Sequence, residues 1–190
     1  MRLLEIRRHA RRERPAQHLV QRGVEMARTL GEQLGPFDRV VTSPLARCVE
    51  TAVAMGFAVD EDRSTLAGSD GRGESVPGLP DDFDWDGGYA AFGRLLAQGG
   101  SFADFARGQA AVWLDVARAL PEDGRALIVG HGGAIEAGAV AAFPDADHAA
   151  WGRTARHCEG MLVGVDGDRF VSIDVLRVPK ELRRRARRNE

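Results

Sequence analysis

Three short stretches of the chain carry residues suited to phosphate chemistry: Arg8-His9, Ser43 through Arg47, and His131-Gly132-Gly133. Each follows a short apolar run that reads as a strand. Ligands of open α/β sheets bind beyond the carboxyl ends of the strands. The three stretches are therefore expected to meet in one crevice. Ser43-Pro44 reads as an N-cap followed by proline at the first helical position, and Gly133 precedes a second helix. Helix N-termini present free N–H groups and a positive dipole end, which favour an anion. Arg47 would sit one turn into its helix and curl back to the same spot. Two guanidiniums, two imidazoles and two helix starts together describe a pocket for a phosphoryl group, because planar guanidinium forks match phosphate oxygens.

The elements that position these residues can be read from periodicity. Leu3 to Ile6 is a buried strand stopping at His9, and Arg39 to Thr42 is a second strand. His18 to Leu34 has helical spacing and ends at Gly35-Pro36. A helix follows Ser43-Pro44 through Val53, and Phe57-Ala58-Val59 is a candidate third strand. Residues 60–88 are acidic and rich in Gly and Pro, and read as a long surface loop or lid. Helices are expected at Tyr89–Leu96 and Phe102–Leu120, the second opened by Ser101. Leu127 to Gly130 is an apolar strand, and a helix over about 134–142 follows it. Met161–Val165 and Phe170–Val178 read as a hairpin turning at Asp166-Gly167-Asp168. Strands alternating with helices predict a three-layer α/β/α sandwich with a mixed, mostly parallel sheet. One domain over 1–178 is expected, followed by a basic tail over 179–190.

Composition sets the outer bounds. The chain has 190 residues, 44% hydrophobic and 28% charged, with a net charge of −2. These values suit a globular domain and exclude a disordered chain or a disulfide scaffold. No apolar run approaches the roughly 20 residues of a membrane span. A charge interrupts the apolar N-terminus at Glu5, which argues against a secretory signal. A cytoplasmic protein is expected, with Cys48 and Cys158 reduced and buried. Residues 2–14 hold six arginines against Glu5 and Glu13. In a near-neutral chain this points to an anionic ligand near the start, with no membrane partner and no general grip on nucleic acid. Arg7 reads as solvated or at a sheet edge. Arg11, Arg12 and Arg14 read as rim residues or solvated ones. Thr51 suits packing or a helix-to-backbone bond, and Glu136 suits the dipole of its helix. His148, His157, Cys158 and Glu159 match no standard zinc spacing, so no metal site is expected there.

Arg8-His9-Ala10, Thr42 through Ala52, and Gly130-His131-Gly132-Gly133 resemble the histidine phosphatase superfamily, also called phosphoglycerate-mutase-like. The spaced residues His18-Leu19, Gly23, Ala27, Leu30-Gly31 and Leu34 extend that resemblance, which runs from residue 3 to about 175. It implies that His9 is the nucleophile and forms a phosphohistidine, and that Arg8, Arg47 and His131 hold the phosphoryl oxygens, with Ser43 and Gly132 beside them. It implies no metal and no cofactor, since side chains supply the positive charge. Water would then hydrolyse the intermediate, and the substrate would be a phosphorylated small molecule or a phosphoprotein. The sequence departs from the family pattern at Ala10, at Pro15 in place of a common asparagine, and at Leu66-Ala67-Gly68 in place of a glutamate. The general acid must then come from elsewhere, with Glu74 the first candidate and Asp81 or Asp82 the next. A good leaving group, such as a phosphorylated histidine, needs less help from an acid. A phosphoglycerate-mutase-type phosphotransferase and a phosphate-binding module without turnover are the alternatives.

Overall fold

The computed structural model describes residues 1–13, 15–68, 71–73 and 75–182. Its elements are β1 (Arg2–Arg8), α1 (Gln21–Gly31), β2 (Arg39–Thr42), α2 (Ala46–Ala54), β3 (Glu61–Asp62), α3 (Gly88–Gln98), α4 (Gly100–Arg118), β4 (Arg125–Gly130), α5 (Ala134–Ala142), β5 (Gly160–Asp166) and β6 (Arg169–Leu176). The six strands form one sheet in the order β3-β2-β4-β1-β5-β6. The first four are mutually parallel; β5 runs antiparallel to β1, and β6, antiparallel to β5, points the same way as the first four. The sheet is mixed and flanked by helices on both sides, as the alternation of elements predicts.

Alternating residues of β2 and β4 feed two cores, one on each face of the sheet. Leu4, Ile6, Val41, Ile128 and Met161 pack with Phe92, Phe102, Trp113 and Ile135 of α3, α4 and α5. Val40, Leu127 and Val129 pack on the other face with Ala27, Leu30, Cys48 and Ala52 of α1 and α2. A central strand covered on both faces reads as a near-continuous apolar run unless its polar groups are paired. This explains why Leu127-Ile128-Val129 was legible as a strand without any alternation.

Several expectations need correction. Ser43-Pro44 does not cap α2. The N-cap is Leu45, in an extended conformation and without a side-chain bond of its own; the Ser43 hydroxyl accepts from the Leu45 amide at 3.4 Å and bonds His131 at 2.8 Å. The strand expected at Phe57–Val59 lies later, at Glu61–Asp62, where it pairs with Val41 and Thr42. The long surface stretch 60–88 therefore begins with sheet, and a 3-10 turn follows over Ser64–Ala67. Helix α1 starts three residues later than its spacing suggests, since Leu19 is held in a bridge to Arg12. Gly99, with φ +78, precedes α4 in place of Ser101. Arg7 is neither solvated nor at an edge. Strand β1 is central, and Arg7 is buried, donating to Glu5 Oε1 at 2.6 Å and to the Cys158 carbonyl at 2.7 Å. Leu182 packs into the α1/α2 core beside Val178, so the beginning of the basic tail is anchored. Residues 183–190 lie outside the described residues. Cys48 and Cys158 are buried free thiols, as expected.

Candidate active site

Parallel neighbours β1, β4 and β2 end at one level, and the three predicted stretches leave them together. The His9 amide donates to the Gly130 carbonyl at 2.9 Å, and the Ser43 amide to the Val129 carbonyl at 3.0 Å. His9 and His131, 122 positions apart in the chain, come to 5.4 Å between ring centroids. Both are buried.

The His9 ring is oriented by its own backbone neighbour. Its Nδ1 lies 2.7 Å from the Ala10 carbonyl, an acceptor only, so Nδ1 carries the proton and donates. Nε2 then holds the free lone pair. Burial, opposed by that hydrogen bond and aided by His131, Arg8 and Arg47, pushes the His9 pKa from the usual 6.5 down to about 2. A neutral imidazole with a fixed tautomer is the form that can attack phosphorus.

His131 is held from the second motif. Its Nε2 shares a hydrogen bond of 2.8 Å with Ser43 Oγ, and the Cys48 sulfur lies 3.5 Å from the same nitrogen. The Cys48 thiol itself is driven by burial up to about 12, so it is inert packing here. Arg8 donates from one terminal nitrogen to the Ala155 carbonyl at 2.9 Å, while its buried Nε has no protein acceptor. Arg47 is almost fully buried. It donates to Gln17 Oε1 and to the Arg72 carbonyl.

A cavity of about 930 Å³ surrounds these groups, lined among others by Arg8, His9, Arg11, Arg12, Arg47 and His157. The arginines outnumber the two carboxylates on its wall, Glu13 and Glu136, so the cavity favours an anion. Glu136 is buried and bound from both sides. One oxygen accepts from the Gly133 amide at 2.6 Å and the other from the Ala155 amide at 2.8 Å. Burial raises its pKa against the opposing pull of Arg8 and these amides. Glu136 thus does more than complement a helix dipole: it joins the His131 turn to the loop that holds Arg8.

The structure brings His9, Arg8, Arg47, His131 and Gly132 together as predicted, and sets Ser43 behind His131. Arg11 and Arg12 line the cavity. Arg14 and Glu74 lie outside the described residues. Asp81 and Asp82 are exposed and do not line the cavity. Trp85, about half exposed, stands on the wall. Sequence reasoning missed three contributors. Gln17 partners Arg47, two residues beyond the unexpected Pro15. Gly73 seats its backbone against the Arg47 guanidinium and the His131 ring, where an added Cβ would lie 2.6 Å from each. His157 faces His9 at 5.6 Å between ring centroids. Only Gln17 left a usable signal, as a polar residue near the position where the family pattern wants one. Among the described residues no group of three or more His, Cys, Asp or Glu could hold a metal ion. No described helix is long and apolar enough to cross a membrane.

The sequence pattern of the histidine phosphatase superfamily (branch 1) matches residues 6–68, which include His9 and Arg47. No curated protein sequence matches the chain. Solved structures are similar over nearly its full length. A phosphoserine phosphatase from Entamoeba histolytica, in complex with 3-phosphoglyceric acid, is 16% identical with a TM-score of 0.67, covering 96% of this chain and 100% of its own. A mycobacterial glucosyl-3-phosphoglycerate phosphatase in complex with VO3 is 23% identical with a TM-score of 0.64, covering 93% and 98%. A phosphoglycerate mutase from Bacillus anthracis is 17% identical with a TM-score of 0.64, covering 97% and 96%. At these identities the likeness establishes the fold, which is phosphoglycerate-mutase-like. The resemblance of the sequence to the histidine phosphatase superfamily is borne out.

Proposed function

We propose that this chain, with the histidine phosphatase superfamily pattern over residues 6–68 and a phosphoglycerate-mutase-like fold, is a phosphatase acting through phosphorylated His9. The observation that carries the reading is the state of His9: buried, neutral, with Nδ1–H tied to the Ala10 carbonyl and Nε2 left to attack. The Nε2 lone pair forms the bond to phosphorus while the bond to the leaving oxygen breaks. Arg8, Arg47 and His131 surround the phosphoryl oxygens and offset their charge as it redistributes, the kind of preorganised electrostatics that carries most phosphoryl-transfer catalysis. Water then attacks the phosphohistidine and releases inorganic phosphate. The substrate is a phosphomonoester or a phosphohistidine, and the activity needs no metal, since guanidiniums supply the positive charge. The expected setting is the cytoplasm.

Release of phosphate from 2,4-dinitrophenyl phosphate tests the reading. His9→Ala should lower it by about 10³-fold or more. Acid quench of the wild type during turnover should trap an acid-labile phosphoenzyme that the variant lacks. Turnover retained in His9→Ala would remove the nucleophile. Phosphate passed to a second phosphoglycerate, dependent on a bisphosphate primer, would make the protein a mutase instead. Tight phosphate binding without turnover would make it a binding module.

A further inference from the structure

His9 has two imidazole neighbours, His131 at 5.4 Å and His157 at 5.6 Å between ring centroids. His131 is buried and bonded to Ser43, whereas His157 is exposed and stands on the cavity wall. The loop that carries His157 is held from several directions. Cys158, next in the chain, has φ +63, a conformation that a non-glycine residue adopts only when its surroundings impose it. Here the Cys158 amide donates to the Arg8 carbonyl at 3.0 Å and its carbonyl accepts from Arg7. The buried Glu159 carboxylate accepts from Arg153 at 2.6 and 2.9 Å and from the Arg156 amide at 3.0 Å. The imidazole is thus presented to the nucleophile by a rigid support.

The other proton carriers described on the wall are poorly placed for transfer. Arginine does not give up its proton. Glu136 is committed to two amides, and Glu13 is exposed at the rim. Arg11 and His157 also line a smaller cavity of about 310 Å³, and His157 is exposed, so it is accessible to solvent.

Resting on the phosphatase reading above, we propose that His157 is the proton carrier of the reaction, serving substrates whose leaving group is an alkoxide. In the first step His9 Nε2 bonds to phosphorus, the phosphorus–oxygen bond breaks with its electron pair on oxygen, and His157 gives that oxygen a proton. The alcohol departs and His157 is neutral. In the second step His157 takes a proton from water as the water oxygen bonds to phosphorus. The phosphorus–nitrogen bond breaks, its pair returns to His9, and phosphate leaves with His157 protonated again. The described charged and titratable groups that share its cavities are Arg8, His9, Arg11, Arg12, Glu13, Arg47 and Glu136 in the larger, and Arg11, Arg22, Arg156 and Glu159 in the smaller.

The experiment compares two substrates that differ in need for an acid. Dinitrophenolate leaves without a proton, whereas the alkoxide of β-glycerophosphate does not. In His157→Asn, kcat/KM for β-glycerophosphate should fall about 10²–10⁴-fold, while that for 2,4-dinitrophenyl phosphate changes by no more than about threefold. The decline of β-glycerophosphate turnover at alkaline pH should also disappear in the variant. Equal losses on both substrates would reduce His157 to a structural part and overturn the proposal. So would no loss on either, or a selective loss found in Glu74→Gln and not in His157→Asn. Failure of the wild type to hydrolyse 2,4-dinitrophenyl phosphate at all, or its hydrolysis by His9→Ala, would instead overturn the phosphatase reading.

Discussion

The Thr51 hydroxyl accepts a hydrogen bond from the Ala10 amide at 2.9 Å and donates one to the Arg47 carbonyl at 2.6 Å. Through one buried oxygen, the residue after the nucleophile is fastened to the helix that carries a phosphate-binding arginine. The Ala10 carbonyl in turn sets the tautomer of His9. Thr51→Val keeps the volume and removes both bonds, leaving the Ala10 amide buried without an acceptor. A loss of about 1–3 kcal/mol in unfolding free energy is expected from denaturant titration. The rate constant kcat should fall about tenfold or more with KM little changed, because the nucleophile is misaimed while the arginines remain. Unchanged kcat in a destabilised variant would show that Thr51 serves folding alone.

Acid should weaken the fold through His9. Its pKa falls from 6.5 to about 2 on folding, chiefly because burial disfavours the imidazolium. Below pH 6.5 the unfolded chain takes up a proton that the folded chain refuses. Stability therefore stands in full above pH 6.5 and declines as pH falls toward 2, at a limit of about 1.4 kcal/mol per unit. Melting temperatures measured from pH 7 to pH 4 should drop more steeply for the wild type than for His9→Gln. Parallel curves would mean that His9 titrates alike in both states.

How much of this was legible depended on whether a residue's role is local. Strand β4 and helix α5 follow from Leu127-Ile128-Val129 and from the apolar stretch after Gly133, because burial on all sides leaves an unbroken apolar run. The convergence of His9, Arg47 and His131 follows from strand-end placement alone. Arg7 misled because its partner Glu5 sits two residues away on the same face, and a paired charge on a central strand reads like an edge charge. Ser43-Pro44 misled because the hydroxyl that would cap a helix is drawn to an imidazole 88 residues on. The places of His157 beside His9 and of Gly73 against Arg47 were hidden for a similar reason. What each touches is set by loops folding back over the sheet, and no periodicity encodes that.

Gly132 packs its backbone against the Arg8 guanidinium. A Cβ added at this position would lie 2.7 Å from the Arg8 guanidinium carbon. Gly132→Ala should push that guanidinium aside while leaving His9 and His131 in place. The expected result is weaker competitive inhibition by inorganic vanadate, by about tenfold, and a similar loss in kcat/KM, with the melting temperature within a few degrees of wild type. Vanadate affinity equal to wild type would show that Arg8 does not bear on the phosphoryl group.

Glu159 offers the sharpest separation of support from chemistry. It is buried beneath the loop that holds the Ala155 carbonyl on Arg8 and His157 beside His9, and it collects Arg153, Arg177 and the amides of Arg156 and Val178. Burial alone would raise its pKa, but the Arg153 bonds, the Arg156 amide and the two arginine charges overcome this and hold it at about 2. Its contribution to stability is therefore present above about pH 4.5 and lost as pH falls toward 2. Glu159→Gln keeps the shape, removes the charge, and leaves two arginines facing a neutral amide. Breaking a buried pair costs about 3–5 kcal/mol, and the partial exposure of both arginines brings the expected loss down to about 2–3 kcal/mol. The variant should also lose its part of the acid sensitivity between pH 4.5 and pH 3. Because the loop steadies Arg8 and His157 together, hydrolysis of 2,4-dinitrophenyl phosphate and of β-glycerophosphate should fall by similar factors, unlike the selective loss expected for His157→Asn. A stable Glu159→Gln protein with wild-type rates on both substrates would show that the loop holds its shape without this charge.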